Sequence, residues 1–292
     1  MRGLLTIILF IIFFFSFSIA VYTYSINSIL KPDYVKNLLS ESKIYSVVAD
    51  GIPDLIISSE NGDDKLIPAE TKAQLGGFIK QVVTAEYLQN KIEPFVDDTF
   101  SWLSGKTETV PSLSFQDLGK QLEPLGVVPL LSDEVSDIVS KPIEIKEGDY
   151  QLRSSFQFSQ MAPIIFSALA AIVLFVIFLM AKGWRSKLRK TSLAILLPSI
   201  LGLAGVATTL LVGNMLVGVI TDNLSGSEFE QFGKPLNDIL VQIPLDISVR
   251  MGAIYGVALA ASVIFFGVSF FVSRKKEATQ AQEQTSATLP TE

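Results

Sequence analysis

The sequence predicts a mainly α membrane protein, a four-helix transmembrane bundle with a helical extracytoplasmic domain inserted between the first and second spans. Three observations predict it. Four uncharged apolar runs each reach spanning length, cations crowd the ends of those runs, and the long stretch between the first two runs is acidic. Of the 292 residues 49% are hydrophobic and the mean hydropathy is +0.45, more apolar than a soluble chain of this size averages.

The apolar runs are Leu4–Val21, Met161–Ala181, Thr191–Thr221 and Met251–Ser273. A hydrocarbon core is crossed by about 20 helical residues at 1.5 Å rise each. Pro198 falls inside the third run and is expected to kink it. The first run has two readings. Ser18 and Ala20 offer a small-x-small cleavage pattern, which would make it a signal peptide and leave three spans. Its length and the single preceding Arg2 favour an uncleaved anchor.

Orientation follows from the distribution of cations. Lys182, Arg185, Lys187, Arg189 and Lys190 lie between the second and third runs, and Arg274, Lys275 and Lys276 follow the fourth. Residues 22–160 carry 12 Lys and Arg against 21 Asp and Glu, a balance of −9. Both termini are therefore expected in the cytoplasm of a cell-membrane protein. On this division residues 1–30 are the anchor and 31–160 the acidic outer domain. Residues 161–276 hold three spans, with a basic link at 182–190 and a short outer segment at 222–250, and 277–292 form a disordered tail.

Within the outer domain, Pro32 and Asp33 suit the first turn of a helix. Thr84 is an N-cap followed by Glu86, Leu88, Ile92, Phe95, Thr99 and Trp102 track one face, and Gly105 ends the helix. Residues 60–64 form a loop, and Ser132 caps a short helix that ends before Pro142. Residues 229–243 have helical spacing and suit a helix lying on the membrane or docked on the outer domain.

Small residues recur every fourth position on two runs, Gly205, Thr209 and Gly213 on the third and Gly252, Gly256 and Ala260 on the fourth. That spacing allows close backbone approach. The ridges are expected to pack on each other within the chain; a dimerisation surface is the alternative.

The chain contains neither Cys nor His. That excludes disulfides, a Ser-His-Asp triad, a Cys nucleophile and zinc sites built on those side chains. Ser42-Lys43 and Ser140-Lys141 are adjacent pairs whose side chains diverge on a helix, which does not preset proton transfer. The acidic clusters Asp63-Asp64, Asp97-Asp98 and Asp133-Glu134-Asp137 lack the spacing of a calcium loop. No basic face suits nucleic acid. A non-enzymatic scaffold or sensor without cofactor or metal is expected, an outer-face enzyme using two carboxylates brought together in a cleft being an alternative. The expected partners are the lipid bilayer and an unknown protein at the outer domain.

With the helix start Val83-Thr84-Ala85-Glu86-Tyr87-Leu88 and the stop Trp102-Leu103-Ser104-Gly105, the plan resembles uncharacterised bacterial multi-pass proteins. The order of one span, a large outer domain and three spans is also similar to permease subunits of the FtsX/MacB type. That resemblance implies a cytoplasmic ATPase as partner, docking on residues 182–190. Claudin-like proteins share the four spans, but their paired outer cysteines are missing here.

Overall fold

The computed structural model describes residues 2–58, 69–123, 137, 140–144, 150–224 and 230–287. The loop expected at 60–64 and the cap at Ser132 lie outside them. In order, the elements are α1 (Arg2–Ile29), α2 (Pro32–Glu41), α3 (Ile44–Ser58), α4 (Ala69–Val82), α5 (Ala85–Leu103), β1 (Ser112–Leu113), α6 (Gln116–Leu122), β2 (Ile143–Glu144), α7 (Tyr150–Met180), α8 (Trp184–Leu224) and α9 (Glu230–Ala287). They form two compact units.

One unit comprises residues 1–28, 159–212 and 244–292. The chain has four helices long and apolar enough to cross a membrane, within Gly3–Ile29, Gln151–Met180, Trp184–Val212 and Pro235–Phe271. Between 11% and 22% of the most apolar window of each is buried inside the chain, and Ile164, Leu211, Val257 and Phe271 are 70–72% exposed. Faces of that kind are stable against lipid and not against water, as befits a multi-pass membrane protein.

What holds these helices to one another is small and partly polar. Phe13, Ala170, Val173, Ile177 and Ala194 form an apolar cluster joining α1, α7 and α8. On α9, Ser248, Tyr255, Ser262 and Ser269 are all buried at intervals of seven residues. A seven-residue repeat keeps one narrow face toward a neighbouring helix. The Ser192 hydroxyl of α8 donates to the Ser262 carbonyl at 2.6 Å. The Tyr255 ring meets Phe17 edge-on at 5.9 Å and lies so close to Gly202 that a Cβ there would stand 2.5 Å from its ring carbons.

Several boundaries differ from the sequence reading. The nine-residue basic link shrinks to residues 181–183, because Gly183 takes a left-handed φ of 80° that turns the chain at once. Lys182 stays in the turn, and Arg185, Lys187, Arg189 and Lys190 ride on the first turns of α8. The segment 222–250 is not a separate element. α8 continues to Leu224, and α9 begins at Glu230 and runs on through the fourth span. The polar tail expected to be disordered is helical as far as Ala287. Its Ala, Glu and Gln residues are good helix formers, and extending a formed helix avoids the cost of nucleation. α8 passes through Pro198, which is fully buried. One residue on, Ser199 donates to the Ile195 carbonyl at 2.7 Å.

The second unit comprises residues 29–158 together with 213–243. Its core is Tyr45, Ala49, Ile79, Val83, Leu88 and Leu118, brought together from α3, the α4–α5 region and α6. Both helix starts are found, that of α2 without a side-chain cap. α2 starts with Pro32 in its first turn and Asp33 beside it. Thr84 Oγ1 accepts from the Tyr87 N–H at 3.1 Å, satisfying one of the orphan donors of α5. At its other end Gly105 has φ 77°, and the amides of Gly105 and Lys106 donate to the carbonyls of Trp102 and Ser101 at 3.0 and 2.9 Å. That is a Schellman stop. β1 and β2 pair antiparallel, Ser112 opposite Glu144 and Leu113 opposite Ile143.

Two alanine substitutions separate the close approach from its surroundings. Gly202→Ala should destabilise the detergent-solubilised chain by about 1–3 kcal/mol through overpacking against Tyr255. Gly205→Ala, where an added Cβ meets nothing within 4 Å, should be neutral or stabilise by up to about 1 kcal/mol through helix propensity. Thermal unfolding of the two variants in the same detergent checks both.

Candidate functional site

The small-residue ridges come first. Gly205 and Thr209 are exposed on α8, and Thr209 Oγ1 turns back to the Gly205 carbonyl at 3.0 Å. Added Cβ atoms at Gly205 and Gly256 would meet nothing within 4 Å, and one at Gly252 would reach Val206 at 3.8 Å, an ordinary contact. Ala260 is exposed. The tight contact lies instead at Gly202, three residues before Gly205, against an aromatic ring that a search for small residues passes over. Of Gly213 only the helical backbone is described, and the same holds for Arg274, Lys275 and Lys276.

The basic residues at the α7–α8 turn form a distinct surface. Lys182, Arg185 and Arg189 are exposed, and Lys187 and Lys190 are partly so. Trp184 is 66% exposed and stands edge-on to Phe178 at 5.9 Å. The Lys187 ammonium lies 4.8 Å from the centroid of Phe178 and 5.9 Å from that of Trp184, within reach of both ring faces.

In the second unit several ionisable side chains pair across elements. Lys36 donates to both oxygens of Asp97 at 2.8 and 3.0 Å, tying α2 to α5. The Asp97 hydrogen bond is the main reason its ammonium titrates above the ordinary lysine value. Lys91 lies 3.0 Å from Asp117 and the Tyr87 hydroxyl donates to the same oxygen at 3.2 Å, tying α5 to α6. Burial raises the Tyr87 hydroxyl, and the adjacent Asp117 charge raises it further. Burial pushes Asp117 upward as well, but the Lys91 and Tyr87 contacts outweigh it and hold the carboxyl below its ordinary value.

A third cluster closes the end of α5. The Arg153 guanidinium grips both oxygens of Glu108 at 2.8 Å and sits 5.5 Å from the Trp102 ring centroid. Trp102 is 1% exposed. Phe100 meets Phe156 edge-on at 5.9 Å. Gly105 is needed for its φ; a Cβ there would also meet the Gln157 amide at 2.8 Å, the far end of a flexible side chain that can move aside. The first turns of α7 are thus fastened to the last turn of α5. Trp102 and Gly105 were legible in the sequence; Arg153 was not, because its partners lie 45 and 51 positions away.

The candidate catalytic pairs are occupied elsewhere. Ser42 donates to the Leu39 carbonyl at 3.1 Å, and Lys141 pairs with Asp137 at 2.9 Å. Among the described residues no cluster of three or more acidic side chains is placed to hold a metal; Asp63, Asp64, Asp133 and Glu134 lie outside them. Comparison of the chain with known protein families, curated proteins and solved structures finds no match in any of the three.

The titrations give a signed expectation for the second unit. Asp117 and Glu108 are lowered, so their stabilisation is complete above about pH 4 and lost as pH falls through the lowered values. Tyr87 and Tyr45 are raised, so theirs is complete below about pH 10 and lost as pH rises beyond it. Asp117→Asn should flatten part of the acid limb and cost roughly 0.5–1 kcal/mol at neutral pH, since both partners are partly exposed. Hydrogen exchange of α5 and α6 amides across pH, in variant and parent, tests this.

Proposed function

We propose that this chain is a multi-pass protein of the cell membrane, with both termini in the cytoplasm. Its 31–160 domain lies outside and binds another envelope or surface component as a scaffold or sensor. One observation carries the reading. A helical domain with its own apolar core lies in sequence between the first and second apolar helices, and ion pairs there join α2 to α5, α5 to α6 and the loop after α5 to α7. Side chains committed to holding helices together suit a rigid presenting surface better than acid–base turnover.

The orientation rests on Lys182, Arg185, Lys187, Arg189 and Lys190 at one pair of helix ends and Arg274–Lys276 after the last apolar stretch. A permease-like subunit is the second reading. The basic residues are held on a helix rather than in a loose link, which suits a firm docking surface for a cytoplasmic ATPase.

Because the chain has no cysteine, single introduced cysteines report orientation directly. Thr109→Cys should react with an impermeant maleimide on intact cells, and Thr279→Cys only after permeabilisation; the reverse pattern would overturn the orientation. Crosslinked pull-down of the tagged full chain should then recover outer-face partners. Recovery of an ATPase that disappears on reversing the five charges at 182–190, with insertion unchanged, would favour the permease instead.

A further inference from the structure

The turn between α7 and α8 is an electrostatic problem that the chain leaves unsolved. Five cations fall within nine residues, and no carboxylate occurs between Asp149 and Asp222. Arg185 and Arg189 stand four positions apart on α8, and Lys187 and Lys190 three apart, the spacings at which like charges on a helix repel. All four ride on the opening turns of α8, where the helix dipole adds positive potential and makes cations unfavourable. Gly183 precedes them and has no side chain to cap the helix. Among the described residues none of the five forms an ion pair.

The surroundings indicate what offsets this charge. The turn joins two helices whose flanks beside it are exposed and apolar, including Leu179 and Leu193. Trp184 is exposed at the same turn, and the Lys187 ammonium lies within reach of the ring pair that Trp184 forms with Phe178. An apolar flank, an amphipathic ring and a dense group of cations meet at this one turn, the combination found where a leaflet passes from acyl chain to headgroup.

We infer that the α7–α8 turn binds anionic phospholipid headgroups of the leaflet it faces, through Lys182, Arg185, Lys187, Arg189 and Lys190, with Trp184 seated at the acyl boundary. The inference needs the chain to be in a membrane and is independent of what the 31–160 domain binds. The lipid phosphates supply the negative charge that none of the described side chains brings to these five cations, and the cations enrich such lipids around the turn.

Trp184 is one of two tryptophans and serves as the reporter, with Trp184→Phe as the blank that removes the Trp102 signal. The full chain is placed in lipid nanodiscs holding equal mole fractions of phosphatidylglycerol and phosphatidylcholine, with bromine on the acyl chains of one or the other. Brominated phosphatidylglycerol should quench Trp184 at least about two-fold more than brominated phosphatidylcholine at low salt. The preference should fall toward parity in about 1 M NaCl, where screening acts within about 3 Å. The same parity is expected when all five residues are changed to Gln. The salt arm needs no substitution, so misinsertion of that variant does not blunt the test. Equal quenching by both lipids at low salt in the unaltered chain overturns the inference, as does quenching by neither. Equal quenching together with an ATPase lost on charge removal assigns the turn to a protein partner and overturns it equally.

Discussion

Inside a hydrocarbon layer no water competes for backbone N–H and C=O groups, and burying one more leucine gains little over leaving it against lipid. Both facts bear on the membrane unit. The first makes each span a continuous helix. The second removes the drive that folds a soluble core, so the helices must be joined by close approach, ring contact and internal hydrogen bonds. Tyr255 gathers several of these. Its ring uses the space that Gly202 leaves on α8, meets Phe17 of α1, and its hydroxyl is hydrogen-bonded by Ser18. Seven residues on, Ser262 accepts from Ser192. Beside the apolar cluster around Ile177, the interior of this bundle carries a seam of serines around one tyrosine, while many leucines and isoleucines are exposed on its outer faces.

The second unit obeys the opposite solvent. There the apolar residues are inside, Ile79 and Leu88 among them, and charged groups at the rim join the helices in pairs. Partly exposed pairs of this kind each contribute little. Their value is positional: Lys36 and Asp97 align α2 on α5, and Lys91, Tyr87 and Asp117 align α6. Arg153 couples a two-pronged grip on Glu108 to a cation–π contact at Trp102, and the fork of a planar guanidinium suits that two-pronged grip better than an ammonium does.

Legibility followed the range of each interaction. Thr84 and Gly105 were readable because a cap and a left-handed stop are settled within a few residues. The apolar runs were readable because length and lack of charge suffice. Helix α3 was missed where Gly51 and Pro53, normally breakers, lie within it. The two residues of each short strand pair across 30 positions, a distance over which local pattern carries no information. The buried repeat Ser248, Tyr255, Ser262 and Ser269 had a signal, its constant interval of seven, which a search at intervals of four did not sample.

By itself the sequence determined that four segments form helices long and apolar enough to cross a membrane, since an uncharged apolar run of that length has few other stable states. It also determined where α2 and α5 begin and where α5 ends, because those signals are local. Only the tertiary structure decided which glycine is a contact and which is open. Gly202 and Gly205 look alike along the chain, yet one faces the Tyr255 ring and the other faces nothing. Helix register and partner choice depend on side chains some 50 positions away, and no local pattern encodes them.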